Sequence, residues 1–244
     1  MSEKWYNNYR LNGGIKCMTT IVKKKRSKIL LDLIRNDITV IQALQSLDLM
    51  TEDLGDNEIR AWINKELNGY NNDDAIPNYR KIDVTVVGDI QVGYQLYKNI
   101  QIPFPKKIND IIGTFDATEP ISKIEQYSKA ESDTESHCLN LEADCVLLNQ
   151  YKSTNGIILS ASRRLSIYSY TNILGSIKTK LISIFKELEK NYGNLDDLYI
   201  EFSDPQKEKD VTEKIINIIF LDNSTTIGNN NSMENSIVGD NNEN

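Results

Sequence analysis

Residues 166–193 read SIYSYTNILGSIKTKLISIFKELEKNYG. Within them Tyr170, Ile173, Leu174, Ile177, Leu181, Ile184, Phe185 and Leu188 recur at offsets of three and four. Lys178, Lys180, Lys186, Glu187 and Lys190 fall off that stripe. The pattern predicts one long amphipathic helix over 166–192, stopped near Tyr192-Gly193. At 1.5 Å per residue such a helix is roughly 30–35 Å long, about the width of a domain. It is therefore the expected spine of the core.

Downstream, Asp204-Pro205 reads as an N-cap followed by Pro at the first helical position. Val211, Ile215, Ile218 and Ile219 continue as a helix, although residues 215–221 fit a strand equally well. Upstream, residues 157–161 suggest a strand, and 139–151 a helix with Leu141, Cys145 and Leu148 on one side. Residues 108–112 and 121–127 suggest short helical pieces.

Farther upstream the period changes to two. Ile82, Val84 and Val86 alternate with Asp83, Thr85 and Val87, and Gly88-Asp89 suggests a turn. Ile90, Val92 and Tyr94 alternate again, and Ile100-Gln101-Ile102 ends at Pro103, so two or three antiparallel strands are expected. Before them stand three helical patterns. The first carries Ile29, Leu30, Leu33 and Ile34. The second opens on the capping box Thr39 to Gln42 and carries Val40, Leu44 and Leu47. The third follows Asp56 as N-cap, carries Ile59, Trp62, Ile63 and Leu67, and stops at Asn68-Gly69 with Gly69 in the left-handed position. The fold class is α+β: mainly helical, with a small antiparallel sheet and one long amphipathic helix. The expected organisation is an arm over 1–26, one domain over 27–221 and a tail over 222–244.

Both ends carry their own signals. Asn12-Gly13-Gly14 before Met18 fits either a translated ribosome-binding site, with Met18 the natural start, or a short arm. In the tail, Ser224 to Asn231 aligns with Asn235 to Asn242 at a constant offset, Gly228 matching Gly239. Aliphatic, Gly and Asn in register suggest rungs of a short β-solenoid, which several chains would have to build together. A low-complexity tail without fixed structure is the other reading.

The net charge is -7 and hydrophobic residues make up 39% of the chain. Such a balance argues against wholesale wrapping of nucleic acid and leaves room only for a local basic patch, such as Lys23 to Arg26. No apolar run is long enough to span a bilayer, and the opening residues lack a secretory pattern. Three cysteines, Cys17, Cys138 and Cys145, fit reduced thiols in a cytoplasm.

No site of known chemistry stands out. His137 is the one histidine, and with Cys138 and Cys145 it does not match a zinc spacing. No phosphate-binding Gly-rich loop or nucleophile elbow is present. Asp83 and Asp89 suit solvent and turn roles better than a metal-dependent nuclease. Arg163-Arg164 is a candidate phosphate contact, though such a pair is more often solvated or salt-bridged. No cofactor and no metal are expected, and the balance leans away from an enzyme.

Residues 62–70, WINKELNGY, resemble the signature of the AbiTii domain, a family of bacterial abortive-infection proteins. In that family a helix ends in Trp, an acidic residue, Leu, a small polar residue, Gly and Tyr, here Trp62, Glu66, Leu67, Asn68, Gly69 and Tyr70. The family continues with Pro, Tyr-Arg and a strand carrying Val-X-Gly, here Pro77, Tyr79-Arg80 and Val84-Thr85-Val86-Val87-Gly88-Asp89. Ile102-Pro103, the long helix ending Leu188-Glu189-Lys190, and the Gly239-Asp240-Asn241-Asn242 end also resemble it. The long helix departs from the family in having Ser176, Lys178 and Lys180 where an Arg-rich middle is expected.

The resemblance implies a role in abortive infection, in which an infected cell arrests or dies before phage is released. It carries over no catalytic residue. Trp62, Glu66, Leu67, Gly69, Tyr70, Gly88 and Asp89 are thus family-signature residues, with structural roles favoured over binding. Three functions stay open: a binding effector or regulator, an enzymatic toxin such as a nuclease, and a structural oligomeric adaptor. Self-association through the tail, and a partner protein or phage component, are the expected partners.

Overall fold

The computed structural model describes residues 4–6, 20–22, 25–52, 57–129 and 138–220. The Met18 start, the Asp56 cap, His137 and the solenoid tail lie outside the described residues. Residues 4–6 and 20–22 pair as the antiparallel strands β1 and β2.

The long helix is α7, Ile167–Tyr192, with Ser166 as its N-cap. Tyr170, Ile173, Ile177, Leu181, Ile184, Phe185 and Leu188 are all 0–1% exposed, so the predicted stripe is the buried face. Around it pack α1 (Lys28–Arg35), α2 (Val40–Met50), α3 (Asn57–Asn68), α5 (Ile121–Ser128) and α8 (Pro205–Phe220), and one core cluster joins them all. The capping box at α2 forms both bonds. The Gln42 amide donates to Thr39 Oγ1 at 3.1 Å and the Thr39 amide to Gln42 Oε1 at 2.9 Å. α8 stays helical through Phe220, which settles the helix-or-strand ambiguity over 215–220: Val211, Ile215 and Ile219 bury at helical spacing. Lys178 stands off the α7 stripe, yet its ammonium donates to the Ile34 carbonyl and to Asn36 Oδ1, closing the end of α1.

The strands divide between two sheets. β3 (Lys81–Asp83) pairs antiparallel with β6 (Thr114–Asp116), beneath the helical core. β4 (Thr85–Val92), β5 (Gln95–Gln101), β7 (Cys138–Glu142) and β8 (Ile157–Ser166) form an antiparallel sheet in the order β5-β4-β8-β7. Together with α4 (Lys106–Ile112) and α6 (Cys145–Tyr151), the sheet encloses a second, small core of Val86, Ile90, Ile102, Leu148 and Ile158.

Two sequence expectations are corrected. Gly88-Asp89 is not a turn: it lies inside β4, and the chain turns at Gly93-Tyr94. Gly88 is there because β8 passes very close, and a Cβ would meet the Ser160 carbonyl oxygen at 2.0 Å. Residues 139–151 are not one helix. Residues 138–142 take the open edge of β8 as β7, and Asp144 then starts α6 by accepting from the Val146 and Leu147 amides. Leu141 therefore does not share a helix face with Cys145 and Leu148.

Candidate functional site

The third helix places Trp62 and Glu66 about one turn apart, Tyr70 follows its end past Gly69, and a turn at Pro77 returns Tyr79 and Arg80 to them. Glu66 and Arg80 are fully buried. Arg80 Nη2 donates to Glu66 Oε2 at 2.7 Å, and its Nε lies 3.3 and 3.2 Å from the two carboxylate oxygens. The hydroxyls of Tyr70 and Tyr79 both donate to Glu66 Oε1 at 2.6 Å, and the Trp62 indole donates to the Tyr79 hydroxyl at 2.9 Å. The remaining Arg80 nitrogen, Nη1, donates to the carbonyls of Ala117 and Glu119 at 2.7 and 2.8 Å. Its guanidinium also stands 4.8 Å from the Tyr70 ring centroid.

Gly69 closes the same junction. Its φ is +94°, and a Cβ would lie 2.9 Å from the Thr118 carbonyl oxygen. That carbonyl accepts from the Tyr70 amide at 2.8 Å. The signature thus fastens the end of α3 to the turn at 78–80 and to residues 117–119. Leu67, expected on the buried face, is only partly buried, because Glu66 occupies the inward position.

Burial and then the Glu66 carboxylate push the phenols of Tyr70 and Tyr79 well above their ordinary value, so both stay protonated donors. Burial alone would lower the Arg80 guanidinium, but Glu66 outweighs it and raises it. A buried ion pair is sustained only when its remaining polar atoms are hydrogen-bonded, and here they are. Such an arrangement acts as a clamp, holding three segments in one relation.

Tyr79 carries the cluster outward. Its ring lines a groove of about 570 Å³ with Thr171, Asn172, Gly175, Ser176, Thr179 and Lys180 of α7. The Lys180 ammonium stands 5.4 Å from the Tyr79 ring centroid and donates to the Ile218 carbonyl at 2.8 Å.

The other sequence candidates lie elsewhere. Asp89 sits at the bulge of β4 and accepts from the Asn99 amide at 2.9 Å. Arg164 donates to the side chain of that same Asn99. Arg163 is its neighbour on a strand and so faces the other side of the sheet, over the Phe115 ring at 5.8 Å. The two arginines therefore do not form one patch.

A second clamp forms in the Leu188-Glu189-Lys190 block, where the sequence carries only a weak sign of one. Glu189, 1% exposed, accepts from the Ser27 amide at 2.6 Å, the Ser27 hydroxyl at 2.7 Å and Arg26 Nη1. Burial pushes its carboxyl up, but these donors outweigh it and hold it below the ordinary carboxylate range. Both buried acids fall within helices that periodicity alone assigns to apolar residues. Their only sequence sign is the family resemblance.

Among the described residues no group of three or more His, Cys, Asp or Glu side chains could hold a metal ion. No helix among them is long and apolar enough to cross a membrane. A family model described as AbiTii matches residues 27–215. The chain belongs to the AbiTii family. The matched span begins at Ser27, the residue gripped by Glu189, and takes in the first clamp whole and the second apart from Arg26. No curated protein and no solved structure matches the chain. AbiTii membership suggests a part in abortive infection against phage.

Proposed function

We propose that this chain acts in the cytoplasm as a binding effector or regulator of abortive infection, not as an enzyme. The observation that carries the reading is the use of the AbiTii signature. Its acid, guanidinium, phenols and indole bond to one another in a closed cluster. Tyr79 of that cluster lines a surface groove, so the groove on α7 is the contact surface this reading favours. Self-association through residues 222–244 belongs to the same proposal, as does a partner protein or phage component met in the groove.

The test is phage yield from a susceptible bacterium expressing the protein with its genomic neighbours. Yield should fall, and infected cells should stop growing. Gly69→Val should abolish protection together with the fold, since it forces a branched side chain into a left-handed position against the Thr118 carbonyl. Gly175→Arg should keep the fold, because a Cβ at Gly175 has nothing within 4 Å, yet it should lose protection by blocking the groove. Purified protein should leave transfer RNA, plasmid and nucleotides intact, and turnover of any of them would restore the toxin reading. Unchanged yield across a broad phage panel would overturn the defence role.

A further inference from the structure

We infer that the groove on α7 is the seat of the chain's own tail, residues 221–224, which must leave before a partner enters. The gating rests on the groove being the contact surface for a partner; the seat itself does not.

The geometry starts from how α8 lies on α7. The Lys207 ammonium stands 4.6 Å from the Tyr192 ring centroid. Lys214 Nζ donates to Glu187 Oε1 at 2.9 Å, and Lys180 Nζ to the Ile218 carbonyl at 2.8 Å. As the chain ascends α8 it descends α7, so the two helices are antiparallel, and Phe220 comes level with Thr179. α7 has 26 residues and α8 only 16, so the first half of α7 runs on past the end of α8. The groove residues Thr179, Ser176, Gly175, Asn172 and Thr171 lie on that overhang. The chain that leaves Phe220 is therefore aimed along the groove.

Length and chemistry agree. From Thr179 back to Thr171 the helix rises about 12 Å. Roughly four residues of extended chain cover that distance, and the next four are Leu221-Asp222-Asn223-Ser224. Asp, Asn and Ser disfavour a continued helix, because their side chains compete for the backbone. The groove hydroxyls have spent their protons: Ser176 donates to the Asn172 carbonyl at 2.9 Å and Thr179 to the Gly175 carbonyl at 2.8 Å. What they offer is acceptors, which suit the amides of an extended chain and the Asn223 side chain. Lys180 is the charged side chain among the described lining residues, and Asp222 follows Phe220 by two positions with the opposite charge. The glycine-headed repeats at Gly228 and Gly239 come after the groove, so the seat leaves them for assembly.

Disulfide trapping in the full chain tests the seat. Paired with Asn223→Cys, a thiol at Ser176→Cys lies in the groove. One at Ser183→Cys lies about as far from the end of α8, on the opposite side of it. Tethering alone favours both pairs alike, so a seated tail should make the bond to position 176 form about tenfold faster or more. Gly175→Arg should remove that advantage. In a mixture of isotopically heavy and light chains, peptide masses should place the bond within one chain. Equal rates, an advantage that survives Gly175→Arg in folded protein, or a bond found only between chains would each overturn the seat. Asp222→Lys sets a cation beside Lys180 and should bring the trapping rate down to that of the control pair. In uninfected bacteria this variant should slow growth where the parent chain does not, because the groove then stands open. Unchanged growth with an unseated tail would overturn the gating, whereas unchanged phage yield with the parent chain tells against the defence role instead.

Discussion

Removing one member of the Glu66–Arg80 pair strands the other charge in a place closed to water. Loss of one partner from a buried ion pair typically costs about 3–5 kcal/mol. Arg80→Met should therefore lower the midpoint of urea unfolding by a large part of the total stability. The double variant Glu66→Leu with Arg80→Met should lose clearly less than the two single losses added together, because no charge is left alone. Additive losses would show that the pair is not coupled. The phenols give a second check. Tyr70 and Tyr79 are raised above their ordinary 10.0 in the folded protein, so their contribution is complete below pH 10. It is lost as pH rises above that value, where the unfolded chain ionises and the folded one resists. Stability should stay level from neutrality to about pH 10 and then fall, and less steeply in Tyr79→Phe. Helical spacing read residue by residue puts Leu67 inward and has no means of placing Glu66 there. The acid is tolerable only because Arg80 arrives from 14 positions away, and periodicity carries no sign of such a partner.

At the scale of elements, legibility follows the length and regularity of the pattern. α7 and the α2 cap are readable because each is decided by residues a turn apart. β7 is not, because Leu141, Cys145 and Leu148 recur at helical offsets while only Leu139 and Leu141 mark an alternation, and the deciding fact is the open edge of β8. Gly88 misleads for a related reason: a glycine beside Asp signals a turn unless another strand passes where its side chain would be. Gly175 tests the helix itself. It sits inside α7, exposed, and a methyl group there would have no atom within 4 Å, so no contact requires the glycine. Gly175→Ala should raise stability by about 0.5–1 kcal/mol, the usual difference between the two residues in a helix interior. A thermal melt shifted upward by a few degrees is the expected result, and a downward shift would mean that α7 relies on flexibility there.

At the scale of the whole molecule, two cores share one chain, and β8 runs directly into α7 to join them. The proposed self-association rests on a sequence repeat in the tail. Gly228 heads Asn229-Asn230-Asn231 and Gly239 heads Asp240-Asn241-Asn242, each behind an aliphatic, and two such rungs have too little apolar surface to hold themselves closed. Neighbouring chains would supply the missing rungs, with Asn side chains bonding along the column. Full-length protein should therefore be larger than a monomer in solution, most simply a trimer. Removing residues 222–244 should reduce it to a monomer. The family match ends at residue 215 and both clamps lie before it, so the shortened chain should keep its helical circular dichroism and melt within a few degrees of the parent at equal protomer concentration. Light scattering of the two proteins decides the matter: equal masses would end the assembly reading, and a lower mass with loss of helix would mean that the tail supports the body.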